Sequence, residues 1–296
     1  MAKTKTKDIN IFCFGFGQVE KIFISKINSE KYDINLSTTS RSLTSVKNFY
    51  KINYKNYQFN NDRYDHNLIP KLKEADYILV SIPPNEGEDI VIKNFSRFIK
   101  NSNVKWITYL SATSVYGDHK GEWVNEDSET KPTSPNGIAR LKAEKSWLSL
   151  KTNNDLPVQI FRLSGIYSNE SNILIRLKSG TAKLVNKKNN YFSRIHVEDI
   201  SNILFKSLSQ FKSGEIYNLS DDKPSSSEEI TLHGAKILNI ENIKKIEVNE
   251  IESEMMKNFY KDSKKVSNKK MKLFFNYSLK FPTYVEGLSY IRDNLI

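Results

Sequence analysis

The chain has 296 residues, of which 38% are hydrophobic and 11% aromatic, so its composition predicts a folded globular protein rather than a disordered one. A chain of this length can bury the core of one large domain, or of one domain with a smaller companion. The formal net charge of +11 invites nucleic-acid binding. However, the lysines are spread along the whole sequence and do not alternate with stacking aromatic residues, which argues against a nucleic-acid partner.

The cysteine and histidine content and the N-terminal segment argue against a disulfide-bonded, secreted, membrane or metal-binding protein. Cys13 is the one cysteine, so no internal disulfide is expected, which fits a reducing compartment. The first apolar run is soon broken by Gln18, Glu20 and Lys21, so it predicts neither a signal peptide nor a membrane span. The spacing of the four histidines suggests no metal site. We therefore expect a soluble, cytoplasmic protein without a metal or a membrane partner.

Strand and helix signals alternate over the first half of the chain. Residues 9–15, INIFCFG, form a short apolar run that is typical of a strand buried on both faces. Helices are predicted from apolar stripes, one over Val19, Ile22, Phe23 and Ile27 and one over Ile138, Leu141 and Leu148. Further strands are predicted within 32–41, 75–84, 104–112, 156–167 and 214–222, and residues 192–208 read as a strand that continues into a helix.

This alternation predicts an α/β fold, namely a Rossmann-type doubly wound parallel sheet with a smaller, mostly helical C-terminal lobe. We expect a nucleotide-binding domain over residues 1–168 and a substrate lobe over 169–296, with 192–222 returning to the first domain. Because such sheets bind ligands outside the carboxyl ends of their strands, the loops that follow the strands are the candidate sites.

The first of these loops reads FGFGQVE and places Gly15 and Gly17 where a strand turns into a helix. In a dinucleotide site the first glycine permits the tight turn, and the second lets backbone amides approach a pyrophosphate. The third position of Gly-x-Gly-x-x-Gly is Glu20. A carboxylate there suits the helix dipole but would repel a pyrophosphate if it pointed inward. A glycine turn without a ligand is the alternative.

The second strand ends in STTSRS, without the acidic residue that would bind the ribose hydroxyls of NAD. Arg41, between Ser40 and Ser42, suits a 2′-phosphate, which favours NADP over NAD. A surface arginine after a strand explains the same letters equally well.

With these loops in place, the chain resembles the extended short-chain dehydrogenase/reductase superfamily, in its NAD-dependent epimerase/dehydratase group, and within it an atypical branch of uncharacterised bacterial proteins. The motifs that carry the resemblance are FGFGQ, YLSATSVYGD, EDSETKPTSPNGIARLKAE, FRLSGIYS, FSRIHVEDIS, IYNLSDDKP and FPTYVEGL. In relatives a Tyr-x-x-x-Lys pair and a Ser or Thr perform acid–base chemistry on a sugar. Their positions correspond here to Asn136, Arg140 and Ala112.

These three replacements remove the usual chemistry. Asn136 does not ionise near neutral pH, Arg140 stays protonated, and Ala112 offers no hydrogen bond. Weak replacements are Thr113, Tyr116, Tyr167 and His196, although structural roles are the simpler interpretation of Tyr116 and His196. The resemblance also implies a homodimer formed through helices such as the one that carries Asn136.

The resemblance assigns two sets of ligand contacts. The cofactor contacts are Gly15, Phe16, Gly17, Gln18, Val19, Ser40, Arg41, Ser42, Ile82, Pro83, Ser111 and Arg140. The substrate contacts are Tyr116, Asn136, Tyr167, Arg194 and His196.

Three functions remain open. The first is a Rossmann protein that binds NADP(H) or a related nucleotide and has lost the usual catalytic residues. The second is an active NAD(P)-dependent oxidoreductase or sugar epimerase/dehydratase, which acts on a nucleotide-sugar-like substrate through relocated groups. The third is a fold whose cleft binds something unrelated. Because several positions change together, the sequence favours the first.

Overall fold

The computed structural model describes residues 7–30, 32–85 and 87–295, and clustering of contacts divides the chain into two units that interleave along the sequence. The first unit takes in residues 1–111, 138–161 and 201–216, and the second 112–137, 162–200 and 217–296. The single domain boundary expected at residue 168 stays a prediction.

Strands and helices alternate in the order expected of an α/β fold. The strands are β1 (Lys7–Phe14), β2 (Tyr32–Ser40), β3 (Ser45–Phe49), β4 (Ile52–Asn60), β5 (Arg63–Tyr64), β6 (Tyr77–Val80), β7 (Trp106–Ala112), β8 (Trp123–Val124), β9 (Val158–Leu163), β10 (Gly165–Tyr167), β11 (Lys183–Asn186), β12 (Arg194–His196), β13 (Ile216–Leu219), β14 (Lys244–Glu247) and β15 (Lys265–Val266). The α-helices are α1 (Gln18–Ser29), α2 (Leu68–Glu74), α3 (Ile90–Ile99), α4 (Pro135–Asn154), α5 (Ile173–Lys178), α6 (Val197–Ser207), α7 (Ser227–Leu238), α8 (Glu254–Lys261), α9 (Lys269–Phe275) and α10 (Tyr284–Leu295).

The main sheet has the strand order β13-β9-β7-β6-β1-β2-β4-β3, with β5 paired to β4. Strand β1 pairs in parallel with β2 on one side and with β6 on the other. It is buried on both faces because Phe12, Cys13 and Phe14 are all inaccessible to solvent. The chain therefore reverses its direction of travel across the sheet at β1, which creates the switch point where ligands bind in such folds. The predicted doubly wound sheet is confirmed.

The connection from β2 to β4 differs from the usual crossover. Parallel neighbours are normally joined by a helix, but here the chain forms strand β3 at the edge of the sheet and returns as β4 in an antiparallel hairpin. The two turn residues, Tyr50 and Lys51, both have positive φ angles. Apolar periodicity did not predict these strands, because β3 exposes most of its residues and β4 exposes several.

Helix α4 buries a face that only partly matches the predicted one. In the stripe over Ile138, Leu141 and Leu148, Leu148 packs against the core, but Ile138 is 52% exposed. The buried side chains of the helix are Ala143, Glu144, Trp147 and Leu150.

Trp147 fixes α4 to the start of α3 through a polar contact inside the apolar core. Its Nε1 donates a hydrogen bond to Asp89 Oδ2 at 2.8 Å. The other oxygen of Asp89 caps α3 by accepting from the amides of Val91 and Ile92, each at 2.9 Å. Three donors thus satisfy a carboxylate that is only 8% exposed.

The second unit is held together by short strand pairs and by the C-terminal helices. Its strand pairs are β10 with β12, β11 with β14 and β15 with β8, all parallel. Its largest described apolar cluster joins Tyr167, Leu174, Ile230, Tyr284, Leu288 and Ile291. Helix α10 supplies half of that cluster, so the C-terminal helix is part of the core of this unit.

The described ranges contain neither a membrane-spanning helix nor a group of side chains arranged to bind a metal. None of the helices there is long and apolar enough to cross a membrane. Nor does any group of three His, Cys, Asp or Glu side chains in those ranges have the arrangement of a metal site.

Candidate functional site

The loop between β1 and α1 has the backbone shape of a nucleotide-binding turn. Gly15 has a φ of +97°, and a Cβ there would lie 2.5 Å from the Ser81 hydroxyl oxygen. Only glycine therefore fits this position without strain. Gly17 follows at the N-terminus of α1, where its backbone is exposed to solvent. Backbone amides at such a helix end attract anions.

Both glycine amides of this loop already have partners. The Gly15 amide donates to Thr39 Oγ1 at 3.1 Å, which ties the loop to the end of β2. The Gly17 amide donates to Glu20 Oε2 at 2.9 Å. Glu20 is only 2% exposed, so its side chain folds back into the loop rather than out to solvent. The shape of the turn fits a pyrophosphate, but its charge does not.

Around this loop lie the other predicted residues of the first helical turn. The Phe16 ring packs on Phe49 and Tyr54 of the hairpin, with ring centroids 5.5 and 5.1 Å apart. Val19 is buried against the core, and Gln18 is half-buried. Phe16 and Val19 therefore hold the loop in place, and contact with a ligand falls to the backbone and to Gln18.

At the end of β2, the Ser40 hydroxyl oxygen accepts a hydrogen bond from Asn56 Nδ2 at 2.8 Å. It also accepts from the Ser42 amide at 3.3 Å. Arg41 is exposed and makes no ion pair with any residue that the structure describes. Its guanidinium is thus available to an anion, whereas the two serines have structural bonds.

The ends of β6 and β7 complete the carboxyl edge of the sheet around β1. Ile82 is half-buried and Pro83 exposed, directly after the switch-point strand β6. Ser111 is 2% exposed, and its hydroxyl has no hydrogen-bond partner among the described residues. A buried hydroxyl without a partner is uncommon in native proteins, which makes Ser111 the predicted contact with unused bonding capacity.

Arg140 turns toward the sheet. Its Nη1 donates to the carbonyl oxygen of Leu110 in β7 at 2.9 Å. The nearby guanidinium also opposes the effect of burial, which raises the pKa of the Tyr109 phenol well above its ordinary value. Arg140 therefore satisfies a backbone carbonyl in the buried part of β7.

In the second unit, the residues that follow β7 form a short turn that packs against the first turn of α4. Thr113–Tyr116 is a 3₁₀ turn, with Thr113 and Ala112 both half-buried. Asn136 lies in the first turn of α4 and is exposed. Next to it, Gly137 meets the Ser114 carbonyl so closely that a Cβ would lie 2.7 Å from the oxygen. A glycine is required there for α4 to begin against this turn.

Tyr116 is fully buried and bonded. Its hydroxyl donates to Asn218 Oδ1 at 2.8 Å, and the guanidinium carbon of Arg162 lies 4.8 Å from its ring centre. The backbone amide of Asn218 in turn donates to Glu126 Oε1 at 2.7 Å. Burial raises the pKa of the Tyr116 phenol, which opposes a role as a base. The sequence indicated Tyr116, whereas nothing in the motif pointed to Arg162 and Asn218.

Tyr167 and His196 pack against each other, with ring centroids 5.0 Å apart. The Tyr167 hydroxyl donates to the Thr283 carbonyl at 3.4 Å, and burial raises its pKa far above the usual range. His196 accepts a hydrogen bond from the Glu198 amide at Nδ1 and also packs on Phe281. Burial lowers the pKa of His196 to about 4, so its imidazole is neutral at pH 7.

Arg194 is the predicted substrate residue with the richest polar surroundings. Its Nη1 donates to Ser225 Oγ at 2.7 Å and to the Phe192 carbonyl at 3.2 Å. The amide of Asp221 donates to the Arg194 carbonyl at 2.6 Å. Burial raises the pKa of the Asp221 carboxyl, although the charge on Arg194 lowers it. Asp221 lies in the quoted motif IYNLSDDKP, but no residue in the motif indicated a buried acid.

Asp199 anchors the C-terminal segment rather than its own helix. Its carboxylate accepts hydrogen bonds from the Tyr277 hydroxyl at 2.7 Å and from the Lys280 amide at 2.6 Å. The Phe281 amide adds a third at 3.1 Å. These bonds assign Asp199 a structural role.

Comparison with known proteins supports the same fold. Residues 92–220 match the model of the NAD dependent epimerase/dehydratase family. A functionally unknown conserved protein from Silicibacter pomeroyi DSS is 26% identical, with a TM-score of 0.85 over 98% of this chain and 99% of that one.

Two Bacillus cereus enzymes are similar in structure at lower identity. UDP-glucuronic acid 4-epimerase, in complex with UDP-glucuronic acid and NAD, is 15% identical, with a TM-score of 0.76 over 96% of this chain and 98% of that one. UDP-N-acetylglucosamine 4-epimerase is 14% identical, with a TM-score of 0.74 over 97% and 98%. The chain has the fold of the NAD-dependent epimerase/dehydratase family.

The resemblance predicted from the sequence motifs is thereby confirmed. Among curated protein sequences, none matches this chain. The epimerase/dehydratase fold fixes where a nucleotide binds in such proteins, but identities of 14–15% do not transfer an activity. Function has to be argued from the residues described above.

Proposed function

We propose that this protein binds a nucleotide, NADP(H) or a close relative, at the carboxyl ends of β1, β2 and β6. The observation that carries the proposal is the tight glycine turn at the switch point of the sheet, where only a glycine fits at position 15. Gly15 to Val19 would hold the phosphates, Ile82 and Pro83 would contact the adenosine half, and Ser111 with its unused hydroxyl would face the cofactor. NADP(H) would supply hydride-transfer chemistry when bound.

The preference for NADP rests on Arg41. NAD-specific relatives of this fold use an acidic residue at the end of the second strand, and this chain has Ser40 followed by an exposed, unpaired Arg41. A guanidinium binds a 2′-phosphate through two parallel hydrogen bonds. Several similar structures are complexes with NAD, so the NADP preference is specific to this proposal.

The protein does not perform the usual Tyr–Lys chemistry. The Asn136 amide does not ionise near neutral pH, Ala112 has no hydroxyl, and Arg140 Nη1 donates to the Leu110 carbonyl. The relocated candidates are engaged elsewhere, since the Tyr116 hydroxyl donates to Asn218 and the Tyr167 hydroxyl to Thr283. We therefore favour a binding protein over an active epimerase with relocated acid–base groups.

Calorimetric titration with NADP⁺, NADPH, NAD⁺ and NADH tests the binding proposal. A dissociation constant below about 100 μM for NADP(H) would support it, and binding to the native state alone would also raise the melting temperature. Failure of all four ligands to bind at millimolar concentration would exclude it.

The absence of catalysis has its own test. UDP-glucuronic acid, the ligand of one similar structure, serves as a probe of nucleotide-sugar binding and turnover. We expect its proton NMR spectrum to remain unchanged when the protein and NADP⁺ or NAD⁺ are added. Epimer formation that Tyr116→Phe abolishes would favour the active enzyme instead. The triple variant Ala112→Ser, Asn136→Tyr, Arg140→Lys then asks whether only these positions block the reaction.

The protein forms a homodimer through α4 in this proposal. The proposal rests on the resemblance to relatives that dimerise through such helices, and the dimer would cover Ile138, which is 52% exposed on α4. Ile138→Asp should halve the molar mass measured by light scattering. A monomeric mass for the unmodified protein at 100 μM would contradict the dimer.

A further inference from the structure

Glu20 occupies the place in the β1–α1 loop where a nucleotide phosphate would bind. It is the third residue of α1, a helix of 12 residues, and its side chain turns back toward the helix N-terminus. There Oε2 accepts the Gly17 amide at 2.9 Å. A carboxylate at this point takes the hydrogen bond and the helix-dipole attraction that an external anion would otherwise receive.

The second carboxylate oxygen of Glu20 is buried and accepts no hydrogen bond of ordinary geometry from the described residues, although the Ser81 hydroxyl lies near the carboxyl group. No lysine or arginine among those residues pairs with the side chain, which is 2% exposed. Burial raises the pKa of the Glu20 carboxyl, while the Ser81 hydroxyl and the Gly17 amide oppose this. The neighbouring titratable group is the Cys13 thiol, which is itself buried and bears no positive charge.

A buried acceptor without a well-placed donor is an unfavourable arrangement that native proteins rarely contain. Here it lies at a helix N-terminus, directly beside the glycine amide. The Glu20 carboxylate and a ligand phosphate cannot both accept from the Gly17 amide. The negative charges of the carboxylate and the phosphate would also repel each other strongly, because they would be adjacent in a site that water barely reaches.

We infer that Glu20 is a specificity-determining residue, whose carboxylate competes with a ligand phosphate for the Gly17 amide and so weakens binding of pyrophosphate-containing ligands. This inference rests on the proposed nucleotide site. It implies that the loop binds the pyrophosphate of NADP(H) more weakly than the same loop without the carboxylate would.

Two variants separate the charge from the space that Glu20 fills. Glu20→Gln keeps the size of the side chain and removes its charge. Glu20→Gly restores the third glycine of the motif and removes the side chain altogether. Glu30→Gln is the matched control, because it makes the same charge change at the exposed far end of α1, where Glu30 pairs with Lys26. Melting temperatures establish that each variant is folded.

Each protein is titrated calorimetrically with inorganic pyrophosphate and, separately, with NADP⁺. We expect Glu20→Gly to bind both ligands about tenfold or more tightly than the unmodified protein, which is the effect of a hydrogen bond to a charged group. Glu20→Gln should lie between them, and Glu30→Gln should match the unmodified protein. Adenosine, which has no phosphate, should bind all four proteins equally.

The two ligands distinguish the inference from the proposed function. Equal pyrophosphate affinity in the unmodified protein and in both Glu20 variants would overturn the inference, even if NADP⁺ bound well. Tighter pyrophosphate binding by the variants, without NADP⁺ binding to any protein, would support the role of Glu20 and exclude the proposed cofactor. If Glu20→Gly does not fold, the Glu20→Gln comparison decides.

Discussion

Gly287 in α10 packs directly on the ring of Tyr167 in β10. A Cβ at position 287 would lie 2.6 Å from Cε2 and 2.7 Å from Cζ of that ring, inside any normal contact distance. The absence of a side chain at residue 287 is therefore what allows the terminal helix to reach the core strand. Helix propensity alone would favour alanine at this position.

The Gly287→Ala substitution should consequently destabilise the protein rather than stabilise it. We expect the free energy of unfolding to fall by about 2 kcal/mol, the effect of an overpacked core. Urea denaturation measures it. Gly165→Ala in β10 is the control, because the nearest atom to its new methyl group is the Ser193 carbonyl oxygen at 3.5 Å, an ordinary contact distance. A Gly287→Ala protein as stable as the unmodified one would show that α10 can shift freely.

Arg140 offers a test of structural against ligand-binding roles. Because its Nη1 bonds the Leu110 carbonyl, Arg140→Ala should lower the free energy of unfolding by about 1–2 kcal/mol. Nucleotide affinity should change by less than about twofold in terms of the dissociation constant. Lys142→Ala, an exposed position on the same helix, controls for the loss of a positive charge. A large loss of NADP⁺ affinity at unchanged stability would instead assign Arg140 to the cofactor.

Arg41 carries the preference for a phosphorylated cofactor. The Arg41→Ala variant should bind NADP⁺ about tenfold more weakly and NAD⁺ equally well, since only the 2′-phosphate is lost as a partner. Calorimetric titrations of both cofactors give the ratio. Lys47→Ala in the exposed strand β3 is the charge-matched comparison. An unchanged ratio in Arg41→Ala would refute this role.

His196 should make stability depend on pH in a defined direction. Burial lowers its pKa to about 4, from 6.5 in an unfolded chain. The unfolded state therefore binds more protons between these values, so the free energy of unfolding falls as the pH drops from about 6.5 to 4. The maximum loss is about 3 kcal/mol, from the relation between pKa and free energy.

The variant His196→Phe isolates this effect from the carboxylates that titrate nearby. Its ring can pack on Phe281, which lies 4.1 Å from the imidazole centre, so we expect similar stability at pH 7. Below pH 5 the variant should be more stable than the unmodified protein. If the free energy of unfolding, measured by urea denaturation, has the same pH dependence in His196→Phe and in the unmodified protein, then His196 is not buried as a neutral group.

Several elements of the fold could be predicted because their apolar pattern leaves one choice. Strand β1 and helix α1 follow from a continuous apolar run and from the helical spacing of Val19, Phe23 and Ile27, all of which are buried. Strands β3 and β4 could not be predicted, since SVKNF and INYKNYQFN mix Asn and Lys with aromatic residues and lack clean alternation. Their pairing depends on the neighbouring strand β2.

The candidate site shows the same limit at the level of single residues. The sequence raised the question of whether Glu20 faces the glycine loop, but the answer depends on how its side chain rotates. Similarly, the apolar stripe of α4 includes Ile138, which is exposed, and omits Ala143, which is buried. A helix packs through the residues whose shapes fit closely against its neighbours, and the hydrophobicity of a residue does not predict that fit.

The hairpin of β3 and β4 has a consequence for the route by which the chain folds. Its pairs, such as Ser45 with Asn56 and Phe49 with Ile52, lie close together in sequence. Closing such a short loop loses little chain entropy, whereas parallel pairing through a crossover joins distant segments. The β3–β4 hairpin can thus form early in folding. Strand β2 can then pair with β4 through backbone hydrogen bonds.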